Sequence, residues 1–157
     1  VQLFPDKAPD TVHNFLNYYV YRNHYDNSLI HYITKDMMIG GGYDAQEKPT
    51  PTYGPIVNES DNGLSNERGT LAMSRHPEFP DSATSQFFFN LGDNTGLDHQ
   101  AAEDGVSVGG NGYCVFGKVT KGMEILEKLA QTPTTDNDQF VNFPEQPVIV
   151  RTIRRLP

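Results

Sequence analysis

Cys114 is the only cysteine in the chain, which excludes an intramolecular disulfide. It stands in an apolar stretch, where a buried thiol rather than a nucleophile is expected. Basic residues are scarce: 12 Lys and Arg against 20 Asp and Glu leave a net charge of −8, which would repel a phosphate backbone. A nucleic-acid partner is therefore not expected. No apolar run approaches the roughly 18 residues needed to cross a bilayer, and the N-terminus has no basic-then-apolar leader. The five histidines lack ligand spacing, so neither a metal nor another cofactor is expected. Asp136-Asn137-Asp138 begins like a calcium loop but lacks the glycine and closing glutamate at their offsets. Gly40-Gly41-Gly42 is followed by no Lys-Ser/Thr and no helix, so it reads as a bend that lets two backbones approach, not as a phosphate cradle. With 157 residues and 36% hydrophobic content, positions 1–157 fit a single domain. Composition leaves the compartment open: cytoplasmic, periplasmic and secreted settings all fit.

The stretch 69–91 gives the first sign of a function. Apolar runs of strand length, 70–73 and 87–89, flank a polar connection with Pro77, Pro80, Asp81 and Ser82 as turn formers. Strand side chains alternate, so Phe87 and Phe89 share one face and Gln86 and Phe88 the other. Phe87 and Phe89 read as core. Gln86 does not, because an amide facing a core needs partners. An amide fork two residues from an aromatic ring can hold a peptide carbonyl and an apolar side chain together, which outlines a peptide-binding surface.

Elsewhere, residues 1–4 read as the end of a strand stopped by Pro5. A helix follows: Asp10 or Thr11 can cap it, and Val12, Phe15, Leu16 and Tyr19 form its apolar stripe, with His13 and Asn14 solvated. Residues 29–34 read as a strand, with Leu29, His31 and Ile33 on one face and Ile30, Tyr32 and Thr34 on the other. Residues 43–55 are a loop, 61–69 is rich in turns, and Arg68 suits a carboxylate partner. Asn58-Glu59-Ser60 matches a glycosylation acceptor only formally. Residues 94–98 form a tight turn, 99–112 an irregular glycine-rich loop taken as mobile, and 113–119 a strand. After Gly122 a helix buries Met123, Leu126, Leu129 and Ala130; 132–147 is a connection and 148–156 the closing strand.

Several of these pieces recur in one order: Ile30-His31, Met38-Ile39-Gly40-Gly41-Gly42, Asn58-Glu59, Asp61-Asn62-Gly63-Leu64, Arg68-Gly69-Thr70-Leu71-Ala72-Met73, Ser82-Ala83-Thr84-Ser85-Gln86-Phe87-Phe88 and Tyr113-Cys114-Val115-Phe116-Gly117-Lys118-Val119. Together they resemble the cyclophilin family of peptidyl-prolyl isomerases, its bacterial branch more than its eukaryotic one, from about Phe4 to the last strand. The resemblance implies a mainly β fold, a closed antiparallel eight-stranded barrel capped by two helices. It implies cis-trans isomerisation of Xaa-Pro bonds in peptides or unfolded segments. It also implies that Gln86 grips the peptide and that Phe88, Met38 and Leu97 line the proline pocket, with Tyr113 at the rim. Tyr32, however, stands where the family has its catalytic arginine. Met37 replaces a phenylalanine, Gly40 a glutamine, and Gly96 an aromatic residue often found there.

The isomerised bond has a barrier of about 18–20 kcal/mol, and a catalyst must prefer its twisted state. A charged donor to the proline nitrogen helps most, and a tyrosine hydroxyl carries no charge. A lost differential on the order of 1.5–3 kcal/mol slows the reaction roughly ten- to more than a hundred-fold. The expected enzyme is weakened, and the alternative is a non-catalytic peptide-binding or assembly module. Arg75 is either a substitute cation in the binding site or a surface charge. The family's first strand and most of its second fall upstream of Val1. The closing strand is thus expected to have an open edge here, filled by residues upstream of Val1, the favoured expectation, or by strand addition from another chain.

Overall fold

The computed structural model describes residues 1–101 and 110–156. The middle of the expected mobile loop, residues 102–109, lies outside the described residues. The ends of that loop meet where Gln100 N donates to Gly110 O at 2.9 Å.

The chain is mainly β, as expected. Seven strands form one sheet in the order β1-β6-β4-β5-β3-β2-β9: Gln2–Leu3 (β1), Ser28–Ile33 (β2), Met37–Asp44 (β3), Thr70–Met73 (β4), Phe87–Asn90 (β5), Val115–Lys118 (β6) and Val148–Val150 (β9). All its pairings are antiparallel. A short hairpin, Thr134–Thr135 (β7) with Phe143–Pro144 (β8), lies within the stretch read as a plain connection. The two helices are Pro9–His13 (α1), which continues through a π-helical stretch Asn14–Val20, and Met123–Leu129 (α2). No helix among the described residues is long and apolar enough to cross a membrane.

The closing strand is shorter than expected: β9 stops at Val150 instead of running to 156. Its partner β2 begins at Ser28, opposite Val150, and Asn27 just before it has φ 59°, so the ladder runs out where the neighbour turns away. Strands β1 and β9 are the two ends of the sheet. Between them lies an apolar hollow of about 720 Å³, lined by Leu3, Phe15, Leu16, Phe89 and Ile153 among others.

One face of the sheet packs on the helices. Leu71, Met73, Phe87 and Phe116 meet Val12, Phe15, Tyr19 and Val20 of the first helix. Ile30, Ile33, Met38 and Leu91 meet Met123, Leu126, Leu129 and Ala130 of α2, the stripe expected there. Two expectations for the first helix need correction. Asn14 is buried, not solvated, and donates to Thr84 O at 2.8 Å. The π-helical stretch is the reason: Tyr21 N bonds to Leu16 O and His24 N to Tyr19 O, five residues back, so the wider turn shifts which side chains face inward. Neither Asp10 nor Thr11 caps the helix, which starts at Pro9 with Ala8 before it.

The cap comes instead from Glu59, whose carboxylate accepts Asp10 N at 3.1 Å, Thr11 N at 2.8 Å and Thr11 Oγ1 at 2.7 Å. Charged hydrogen bonds of this kind are worth about 1.5–3 kcal/mol. Glu59→Ala should therefore lower the urea unfolding free energy by about 2 kcal/mol at constant m-value, and a loss below about 0.5 kcal/mol would show that Glu59 is no cap.

Candidate functional site

The site lies on the sheet face away from the helices. Register brings its parts into one row: Tyr32 pairs with Ile39, Ile39 with Phe88, Phe88 with Ala72, and Ala72 with Val115. Directly paired residues in an antiparallel sheet point to the same side, and neighbouring strands lie about 4.8 Å apart. Tyr32 and Phe88, two strands apart, are thus separated by roughly 10 Å across one surface. Simple alternation along β2 does not produce this row. Ile30 pairs with Gly40 and Tyr32 with Ile39, so His31 is an extra, bulged residue. The expected face Leu29, His31, Ile33 is accordingly broken, and Ile33 packs with Ile30 on the helix side.

Ala72, Phe88 and Val115 are buried under Met37, Ile39, Leu64, Leu97 and Tyr113. Phe88 is 2% exposed and is the floor of this cluster rather than an open wall. Its ring meets Tyr113 edge-on, 5.8 Å between centroids. Beside Leu97 and Tyr113 opens a hollow of about 430 Å³, bounded also by Arg75, Pro77, Gly96 and Asp98. Arg75 is neither free nor a plain surface charge. Its Nε donates to Gly112 O at 2.8 Å, its Nη1 to His76 O and Pro77 O at 2.9 and 3.0 Å, and its guanidinium lies 4.4 Å from the centre of the Tyr113 ring. That cation–π contact fixes the rim of the hollow.

Met38 does not join these residues. Paired with Phe89 and 1% exposed, it packs on the helix side with Ile30, Ile33 and Leu91, because the pleat sends neighbours Met37 and Met38 opposite ways. Ile39 and Leu64 take part instead. Ile39 was legible as two residues from Met37 on one strand face, whereas nothing local marked Leu64. Gln86 is half-buried on the Phe88 face of β5, about 7 Å along the strand from Phe88. It lies directly over Gly42, where an added Cβ would meet its Cδ and Nε2 at 2.6 Å. Gly41, at φ 86° with Ser85 O 2.9 Å from where a Cβ would stand, is the close backbone approach expected of the triple glycine. Gly96 has nothing within 4 Å of that position among the described residues.

Residues 1–154 match the family model described as cyclophilin type peptidyl-prolyl cis-trans isomerase/CLD. The chain belongs to this family. It is 42% identical over 155 residues to a peptidyl-prolyl cis-trans isomerase of Acinetobacter baylyi, covering 98% of this chain and 78% of that protein. It is 41% identical over 154 residues to peptidyl-prolyl cis-trans isomerase B of Escherichia coli, covering 98% and 90%. A crystal structure of a Cryptosporidium parvum cyclophilin, obtained in the presence of the dipeptide Ala-Pro, superposes with a TM-score of 0.72 at 22% identity, covering 96% of this chain and 87% of that one. The cyclophilin fold and the bacterial character read from the motifs therefore stand.

Other motif residues of this cyclophilin serve structure. Asn58 of the formal glycosylation acceptor donates to Asn111 O and Gly112 O, behind the Tyr113 rim. Arg68 pairs with Glu127. Cys114 is buried beside Thr11, and burial pushes its thiol up to about 11, which keeps it inert. His31 is buried between the rings of Tyr43 and Phe140, 4.8 and 5.7 Å away, and its Nδ1 finds no partner among the described residues. Burial pulls its imidazole down to about 4, against a hydrogen bond with the Leu29 backbone that favours the charged form. Between about pH 6.5 and pH 4 the unfolded chain takes up a proton that the folded one refuses, so stability falls as pH falls through that window. Between pH 7 and pH 4.5 the native chain should lose about 2–3 kcal/mol more unfolding free energy than His31→Phe, measured by urea titration. Equal losses would mean that His31 is protonated in the folded state.

Proposed function

We propose that this cyclophilin isomerises Xaa-Pro bonds in peptides and unfolded protein segments on the face carrying Tyr32, Gln86 and the Phe88 cluster, more slowly than relatives with arginine at position 32. The observation that carries this reading is the shared face: an amide held over Gly42 stands about 7 Å from an apolar floor, and a phenol stands roughly 10 Å across from it. Those spacings suit a segment of two or three residues. The proline ring rests on Met37, Leu97 and Tyr113 above Phe88, while Gln86 holds the preceding carbonyl. As the bond twists, the proline nitrogen regains its lone pair, and the Tyr32 hydroxyl donates to it. Only an interaction stronger in the twisted state speeds the reaction, and a neutral donor supplies less of it than a guanidinium. Arg75 does not replace that cation. It lies on Tyr113 with Nε and Nη1 occupied, and its part is to hold the rim. The presence of Ala-Pro with the Cryptosporidium protein supports the same ligand class.

Magnetisation-exchange NMR on a short Ala-Pro peptide tests this. Gln86→Ala should cut the native exchange rate at least tenfold, and Tyr32→Arg should raise it roughly ten- to a hundred-fold. A native rate indistinguishable from peptide alone, with unchanged binding in Gln86→Ala, would overturn the enzyme reading. Native peptide binding without exchange would favour a binding module on the same fold.

We also propose that an extended segment of another chain adds to the sheet at the end of β9. The free end of the ladder and the 720 Å³ apolar hollow between β1 and residues 152–156 support it. The amides on the outer edge of β9 should then be protected from hydrogen exchange, and the more so as protein concentration rises. Fast exchange of those amides at every concentration would reject strand addition.

A further inference from the structure

Asn66 lies in the turn-rich stretch before β4, carries no charge and is fully buried at 0% exposure. Its Nδ2 donates to Leu97 O at 3.2 Å, Tyr113 O at 3.3 Å and Asp98 Oδ1 at 2.9 Å. Its backbone N donates to the same Asp98 oxygen at 2.6 Å, and its backbone O accepts Asn94 N at 2.8 Å. One amide therefore holds two of the segments that line the hollow, 31 and 47 residues away along the chain. Leu97 and Tyr113 have one direct link besides, Tyr113 N to Leu97 O at 2.8 Å.

The ties continue through a row of amides, Asn66 and Asn90 buried and Asn94 half-buried. Asn66 Oδ1 accepts Asn90 Nδ2 at 3.2 Å, and Asn90 Oδ1 accepts Asn94 Nδ2 at 2.8 Å. Asn94 Nδ2 also donates at 2.9 Å to Asp36 O, the carbonyl just before Met37. Met37, Leu97 and Tyr113, which all pack over the Phe88 cluster, are thus coupled through three asparagines. Asp98 closes the network. Burial would raise its carboxyl, but hydrogen bonds from Ser65 and Asn66 outweigh that and hold it below the usual carboxylate range.

We propose that Asn66 is a positioning residue for the proline hollow, setting the separation of Leu97 and Tyr113 and thereby the affinity for a proline ring. This rests on the isomerase reading, yet it concerns a side chain that touches neither substrate nor the reacting bond. A purely structural Asn66 would affect global stability alone. A positioning Asn66 also changes the geometry of Leu97 and Tyr113 in protein that remains folded. Removing the side chain takes the Asn66 donor from the Tyr113 carbonyl and from Asp98 Oδ1 and leaves Leu97 O with Tyr113 N alone, and these segments shift to recover a donor.

The test is NMR on the full chain, with Asn66→Ala and the milder Asn66→Ser beside the native protein, titrated with an Ala-Pro peptide under conditions where each is folded. The expected result is displaced resonances of the Leu97 methyls and Tyr113 ring with those of Leu71 and Phe116 unmoved, and about tenfold weaker peptide binding in Asn66→Ala. In the native protein the Asn66 side-chain amide protons should exchange slowly and shift when peptide is added, a measurement that needs no variant. Unchanged Leu97 and Tyr113 resonances with unchanged affinity would overturn the proposal. So would fast-exchanging Asn66 amide protons that ignore the peptide while Gln86 and Phe88 respond to it. If no resonance of the native protein responds to peptide, the isomerase reading fails instead, and the displacement of Leu97 and Tyr113 in the variants still reports on Asn66.

Discussion

Pairing across an antiparallel sheet forces directly opposite residues onto one face, and nearly every property of this site depends on that constraint. Strands β2, β3, β5, β4 and β6 come from distant parts of the chain, yet their register aligns Tyr32, Ile39, Phe88, Ala72 and Val115. Such a row survives only if register is kept over the whole sheet, since a slip of one residue would send Phe88 into the helix-side core. The ladder is also irregular between Ser28 and Ile30 and between Leu71 and Ala72, and the bulge at His31 is the irregularity on which Tyr32 depends. Without the extra residue, Ile30 and Ile33 could not both reach the core while Tyr32 keeps its place. The bulge also puts His31 beside Tyr32, where Tyr43 and Phe140 enclose it.

Peptidyl-prolyl isomerisation asks little of a protein in covalent chemistry and much in shape. A surface that grips a carbonyl and seats an apolar ring can favour the twisted state by small increments, which is why a site with a changed donor can keep a function. Under the function proposed above, the gripping side is the Gln86 amide lying over the space left by Gly42, and the seating side is the Phe88 cluster on the same face. The rim is stiffened from behind by Arg75 on Tyr113 and by Asn58 on Gly112. Several side chains that stand out in the sequence, among them Asn58, Glu59 and Arg68, thus act by holding loops rather than by meeting substrate.

Much of the β architecture was legible because it rests on local pattern: strand-length apolar runs, the Pro5 stop, and the stripe of α2. Gln86 and Phe88 were placed on one face by period two alone. What was not legible has a common cause. The broken face of β2 and the burial of Asn14 depend on which way the chain is rotated at a given residue, and that rotation is set by a bulge and by a π-helical turn that leave no sequence mark. The helix cap was assigned to Asp10 or Thr11 because only neighbours can be weighed in a sequence, whereas its true partner, Glu59, is 48 residues from Thr11. The hairpin of β7 and β8 was missed for the same reason, since it forms where Phe140 and Phe143 pack on Leu29.

By itself the sequence determined the family, the mainly β class and the chemical identity of the residues on the candidate face, including the tyrosine where the resemblance implies a cation. These follow from residue type and spacing, which are one-dimensional properties. Tertiary structure alone decided that Phe88 is a floor and not a wall, that Arg75 is spent on Tyr113, that Met38 faces away, and that Asn66 ties the Leu97 segment to the Tyr113 segment. Each of these is a contact between segments far apart in the chain, fixed by register and burial, and no local pattern encodes the distance between them.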